Sequence, residues 1–450
     1  MSKKLFNDFS KVSSKEWKQK IQADLKGADY NETLIWKTNE GIDVKPFYHA
    51  DEFLSTPSIS SSQATQWQIC ETIFVADLEK SNARAKELLT KGAESLRFII
   101  PSEDISVESL LKDINLSKTQ VFFELQFLSS AFIQQILKAT SKENTIILTD
   151  IIGNLSRSGN WFTNLQDDHK QFETIVAKTS TMSIDATLYQ NAGANMVQQL
   201  AYALAHVNEY LNHLSNKESL QVIFNVSVGT NYFFEIAKLR ALRILWNTLA
   251  SEYNISSECH IFVTPTKRNK TLYDYNNNLL RTTTECMSAV LGGANTINNL
   301  AYDAIYHKDN EFGIRISRNQ LLILKHESYF DKVNNPADGA YYIESLTQQL
   351  AEKALELFKG IETGGGFLKQ LKEGIIQRKI KESDDKEQTQ FNTGEEVLLG
   401  TNKHPNPDDK MKHELELYPF VKTNPRKTLI EPIIEKRLAE IIEQNRLKTE

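Results

Sequence analysis

QVIFNVSVGTNYFFEIAKLRALRILWNTLASEYNISSECHIFVT, residues 221–264, holds a strand, a helix and a second strand in one run. In Gln221–Ser227 the side chains alternate: Val222, Phe224 and Val226 share one face, and Gln221, Ile223, Asn225 and Ser227 the other. Tyr232–Leu249 is apolar almost halfway round a helix that carries on to Tyr253, and His260–Thr264 is apolar again. The same rhythm extends in both directions. Further strands are expected near Trp67–Val75, Ser95–Ile100, Gln120–Leu125, Thr145–Leu148, Met182–Ala186 and Thr296–Leu300. Helices are expected over Asp77–Lys91, Ala131–Thr140, Asn195–Leu214, Asn277–Leu291 and Ile314–Lys325. Eight strand-plus-helix units in about 260 residues predict an α/β fold, a (β/α)8 TIM barrel. A doubly wound open sheet is the alternative.

Helices cover the outside of such a barrel, so the fully apolar strand faces should point outward. That leaves Asn225 and Ser227 inside, with Ser183 and Asp185 on the inner face of their strand and Arg97 and Glu124 as further inward candidates. A barrel centre is ordinarily filled with Val, Ile and Leu, so this one reads as wetter. A site would lie at the C-terminal strand ends, with Asp150, Asp185, Tyr189 and Arg281 as its polar candidates. The competing account is that these groups satisfy one another or cap neighbouring helices.

The flanks divide the chain into an arm over residues 1–62, the barrel over 63–378, and a linker with a C-terminal helix over 379–450. In the arm, residues 12–27 read as an amphipathic helix capped by Ser13 or Ser14, with Trp17, Ile21 and Leu25 on one face. Lys379–Asp409 is polar and turn-rich and reads as a linker or surface loop. Residues 429–447 regain helical periodicity, with Ile433, Leu438, Ile441 and Ile442 expected to dock on the barrel.

Composition excludes several functions. Hydrophobic content of 40% and charged content of 24% suit a globular domain, and a net charge of -6 gives no reason to expect nucleic acid. The N-terminus lacks the apolar core of a signal peptide, and no run reaches the length of a membrane span. Cys70, Cys259 and Cys286 are sparse and unpaired in spacing, which favours a reducing cytoplasm. His206 and His213 lack neighbouring ligand motifs, so no metal site is expected. Gly292-Gly293 and Gly364–Gly366 do not fit a phosphate-binding pattern and read as helix ends. No GxSxG or HExxH occurs.

Arg315–Glu344, RISRNQLLILKHESYFDKVNNPADGAYYIE, closely resembles the signature segment of the methylmalonyl-CoA mutase family. His326, Asn335 and Ala340 stand where the family usually has Glu, Asp and Ser. Leu25-Lys26-Gly27, Leu34-Ile35-Trp36, Glu40-Gly41-Ile42, Asn191-Ala192-Gly193-Ala194, Phe234–Ala241, Leu280-Arg281-Thr282 and Gly292-Gly293-Ala294 are similar to other blocks of the family, in the same order. The likeness spans roughly residues 5–445. It implies a barrel that binds acyl-CoA beside a flavodoxin-like domain that holds adenosylcobalamin through a DxHxxG histidine. No DxHxxG occurs here, so no cobalamin-binding domain is expected in this chain, and the cofactor is assigned to a partner.

Catalytic relatives carry an Arg-Pro-Trp-Thr-Ile-Arg-Gln-Tyr-Ala-Gly block. The matching stretch here is Thr65–Thr72, which keeps Trp67 and lacks both arginines. The family's catalytic histidine falls near Phe262-Val263. The resemblance therefore implies a non-catalytic small subunit, with no catalytic residues of its own, that pairs as a heterodimer with a large catalytic mutase subunit and binds acyl-CoA at most weakly. The alternatives are a stand-alone barrel enzyme and an acyl-CoA-binding barrel.

Overall fold

The computed structural model describes residues 8–53, 63–217, 219–422 and 425–450. The rest of the expected arm, residues 1–7 and 54–62, lies outside the described residues. Eight parallel strands form the centre: β1 (Gln68–Phe74), β2 (Ser95–Ile100), β3 (Gln120–Leu125), β4 (Thr145–Leu148), β5 (Thr181–Asp185), β6 (Gln221–Val228), β7 (Cys259–Pro265) and β8 (Thr296–Asn298). Their order in the sheet is β4-β3-β2-β1-β8-β7-β6-β5, with β8 returning to pair with β1 through Thr296–Gln68 and Asn298–Cys70. The fold is thus a TIM-type barrel, closed everywhere by backbone ladders except between β4 and β5.

Outward strand residues and inward helix faces make the main core. Leu96, Phe98, Val121 and Phe123 pack under the helices Leu78–Thr90 and Ser130–Ala139. Val222, Phe224, Val226, Ile261 and Val263 pack under Met196–His213 and Tyr232–Glu252. A second helical layer, Tyr341–Thr363, lies over the latter pair through Ile343, Leu346, Leu350 and Ala354, which explains why Tyr232–Glu252 is apolar so far round its surface.

The flanks differ from expectation in two places. Residues 379–393 are not a linker: they continue a helix, Ile375–Thr393. Its buried stripe, Ile376, Gln377, Ile380, Asp384, Gln388 and Phe391, recurs at helical spacing but includes three polar residues. Asp384 tolerates burial because Arg268 Nη2 donates to it over 2.6 Å. In 429–447 only Glu440–Thr449 is helical. Pro432 disfavours helix at the residue before it, and the stretch before Glu440 is irregular, with Ile430 N donating to Gly159 O and Ile433 N to Ser156 O. Ile433 and Leu438 dock, whereas Ile441 and Ile442 remain 52% and 37% exposed. The N-terminal helix Ser14–Asp24 forms as expected with a Ser13–Glu16 capping box, but buries none of its residues.

Candidate functional site at the barrel mouth

The barrel interior is layered. A belt of Cys70, Phe122, Ile146, Leu148, Ile223 and Phe262 fills its waist, with the Phe122 and Phe262 rings edge to face at 5.0 Å. His260 also faces inward, its Nε2 3.0 Å from Thr296 Oγ1, and burial pushes its pKa down to about 3, so it is neutral. The interior is therefore not polar throughout. The inner faces of β6 and β7 carry both kinds of residue, with Ile223 and Phe262 supplying the dry waist.

Above the waist lies a polar mouth. Arg97 Nε donates to Glu124 Oε2 over 2.9 Å, and Arg97 sits 5.4 Å from the Phe262 ring centre. Asp185 Oδ2 accepts from Arg157 Nη2 at 2.7 Å, and Arg157 also pairs with Glu435 from the C-terminal segment. Arg97, Glu124, Arg157 and Asp185, with Asp150, Ser183, Asn225 and an apolar wall of Leu125, Phe127, Leu128, Leu148 and Phe162, line a cavity of about 330 Å³.

Asp150 is the most connected group there. Its carboxylate accepts from Gly153 N at 2.7 Å, capping the helix Ile151–Ser158, and from Tyr210 Oη at 2.6 Å. It also accepts from Asp185 N at 2.7 Å, and His206 Nε2 lies 2.9 Å away. Burial opposes its ionisation, but His206 and these hydrogen bonds outweigh that and hold its carboxyl below the usual range. The Asp185 contact crosses the unlaced seam between β4 and β5, as does Ser183 Oγ donating to Thr149 O at 3.1 Å. Side chains stitch the barrel where backbone does not.

Three of the four sequence candidates, Asp150, Asp185 and Tyr189, thus gather in one hydrogen-bonded brace around His206. Tyr189 is fully buried behind the mouth, its hydroxyl 2.9 Å from His206 Nδ1, and Phe367 stacks on that imidazole at 5.5 Å. Arg281 stands elsewhere: its guanidinium donates to Thr271 Oγ1, Asn278 Oδ1 and Leu399 O, tying a loop and the C-terminal segment together. The residues missed by sequence reasoning, His206 and Tyr210, come from Met196–His213, whose apolar stripe masked its polar positions.

The Arg315–Glu344 segment is also structural. Lys325 Nζ donates to Glu94 and to Trp67 O, each at 2.7 Å. Arg318 Nη1 lies 3.4 Å from Glu71 Oε1, and Arg240 Nη2 donates to Glu344 at 2.8 Å. These contacts hold the helix Glu311–His326 and the following loop against the barrel's outside. A further cavity, between the arm and the strand ends, adjoins the buried Lys238–Glu235 pair, where Lys238 Nζ also donates to Gln190, Gln199 and Ser227 O. That lysine has no donor to spare.

The positions where catalytic relatives carry reactive groups can now be placed. Cys70 lies in the waist, Thr72 Oγ1 donates to Asn298 Oδ1 at 2.8 Å, and Phe262 packs on Phe122. A family model described as methylmalonyl-CoA mutase matches residues 105–441. The chain belongs to the methylmalonyl-CoA mutase family. It is 34% identical over 445 residues to the methylmalonyl-CoA mutase small subunit of Porphyromonas gingivalis, covering 90% of this chain and 71% of that one. A methylmalonyl-CoA mutase of Rhizobium meliloti is 28% identical, covering 87% of this chain; this chain spans 64% of its length. Among solved structures, dihydropteroate synthase from Thermus thermophilus is similar at a TM-score of 0.34 and 15% identity, over 60% of this chain and 98% of that one. Among the described residues no helix is long and apolar enough to cross a membrane, and no cluster of His, Cys, Asp or Glu is placed to hold a metal ion.

Proposed function

We propose that this chain is the small, non-catalytic subunit of a heterodimeric, adenosylcobalamin-dependent methylmalonyl-CoA mutase of the cytoplasm, which interconverts methylmalonyl-CoA and succinyl-CoA. Its role is to stabilise a large catalytic subunit. One observation carries the reading: the three inward positions that match the family's reactive residues, Cys70, Thr72 and Phe262, are spent on packing and an internal hydrogen bond. Phenylalanine and cysteine at those points offer no charge-assisted donor to an acyl carbonyl, and losing one such donor costs a catalyst about 3–4 kcal/mol of transition-state binding. The filled waist also leaves acyl-CoA no path along the barrel axis, so any acyl-CoA contact is weak.

The chain's donor set does not fit the corrin. His206 is wholly buried between Asp150 and Tyr189, His260 is engaged inside the barrel, and no Asp-x-His-x-x-Gly occurs in the sequence. In this reading adenosylcobalamin is held by the partner.

Co-expression with a longer mutase-like chain tests the reading. The two should co-elute, the long chain should lose activity or thermal stability when purified alone, and this chain alone should show no turnover. A long chain fully active and stable by itself, with no co-elution, would overturn the proposal.

A further inference from the structure

The mouth cavity has one group that the brace leaves unused. Asn225 is 7% exposed and inward-facing on β6, and it lines the cavity with an amide oxygen that has no hydrogen-bond partner. A buried polar group without a partner is costly, and native structures rarely keep one without a use. Beside it, both hydrogen bonds of the Arg97–Glu124 pair run to Glu124 Oε2, so Oε1 and Arg97 Nη1 make no bond within that pair. The rim therefore offers acceptors and donors side by side.

Its cations are already taken. Arg97 faces Glu124, Arg157 faces Asp185 and Glu435, and Asp150 is held by His206, Tyr210 and two backbone N–H groups. An anionic ligand would find no unpaired cation to offset its lost hydration. The opposite wall is apolar, built from Leu125, Phe127, Leu128 and Phe162. The volume, about 330 Å³, falls within the range of roughly 300–1,000 Å³ typical of small-molecule sites.

We propose that this cavity binds a small net-neutral molecule whose polar head, a carboxamide or an amino-acid zwitterion, meets the Asn225 amide and the free edge of the Arg97–Glu124 pair, and whose apolar tail lies on the Leu125–Leu128 wall. The site is distinct from any acyl-CoA role, which would bring anionic groups, and it does not depend on the chain being a scaffold.

Three probes with matched tails separate the possibilities: hexanamide, L-norleucine and hexanoate, tested on the purified chain by saturation-transfer NMR and calorimetric titration. Hexanamide or norleucine should bind and hexanoate should not. Asn225→Leu should weaken binding about tenfold or more. Glu124→Gln should weaken norleucine, whose ammonium faces Glu124, and spare hexanamide. If Asn225→Leu does not fold, Leu128→Trp, which fills the cavity from a half-exposed position, should abolish binding of both. The proposal is overturned if neither neutral probe binds, if hexanoate binds as well as they do, or if binding survives Leu128→Trp or a folded Asn225→Leu.

Discussion

The waist and the mouth of this barrel are built from the same strands a few ångströms apart, yet they use opposite chemistry. At the waist, Phe122, Phe262, Ile223 and Cys70 exclude water and hold the strands by packing. At the mouth, Asp150, Asp185, Arg97 and Glu124 hold them by hydrogen bonds and charge. At the centre the strands need only be packed, and carbon suffices for that. The strand ends have helix caps to satisfy and one seam to close, and carbon does neither.

The sharpest way to break the waist is Phe262→Ala. Removing a fully buried ring should cost about 3–5 kcal/mol, read as a lowered denaturant midpoint with an unchanged slope. At the mouth, Asp150→Ala should cost slightly less, about 3–4 kcal/mol, because it strands buried His206 and Tyr210 and unties Asp185 from β4. Asp150→Asn should cost about half of that, since the amide oxygen can still take one N–H and the Tyr210 hydroxyl.

Glu71 tests electrostatics outside the barrel. Burial pushes its pKa up to about 7 despite Arg318 and Arg84. A carboxyl with a raised folded-state pKa favours folding fully below its unfolded value near 4.5, and that contribution is lost as pH rises through 7. The protein should therefore lose about 2–3 kcal/mol of stability between pH 5 and pH 8 through this group. Glu71→Gln should flatten that part of the profile in thermal melts. The smallest effect is expected from Arg157→Met. Its side chain is 41% exposed despite two carboxylate partners, and exposed ion pairs contribute less than about 1 kcal/mol.

Much of the fold was legible because each barrel strand is a short apolar run between turn residues. Ser95–Ile100, Gln120–Leu125 and Thr145–Leu148 have the bounds their sequence suggests. The helix Ile375–Thr393 was not legible, since Asp384 and Gln388 complete its buried stripe only once Arg268 and Leu438 O are there to meet them. The Pro432 stretch reads as helix by periodicity alone, yet its backbone bonds to Ser156 and Gly159, far earlier in the chain. Of the brace, Asp150, Asp185 and Tyr189 were legible as polar residues at or just after C-terminal strand ends. Their partners His206 and Tyr210 were not, since they sit among apolar neighbours on a helix. Arg281 stood out for the same reason as Asp150 but serves a loop.

The unlaced seam between β4 and β5 gives the cylinder a place to begin unrolling. Strand edges without ladder partners release their amide protons through local opening rather than global unfolding. Hydrogen–deuterium exchange should therefore show Thr145–Leu148 and Thr181–Asp185 exchanging ahead of Gln221–Val228 and Cys259–Pro265, which have ladder partners on both sides. Mechanically, the molecule is a rolled sheet fastened along one edge by a carboxylate and a hydroxyl, so the fastener sets how readily the roll breathes.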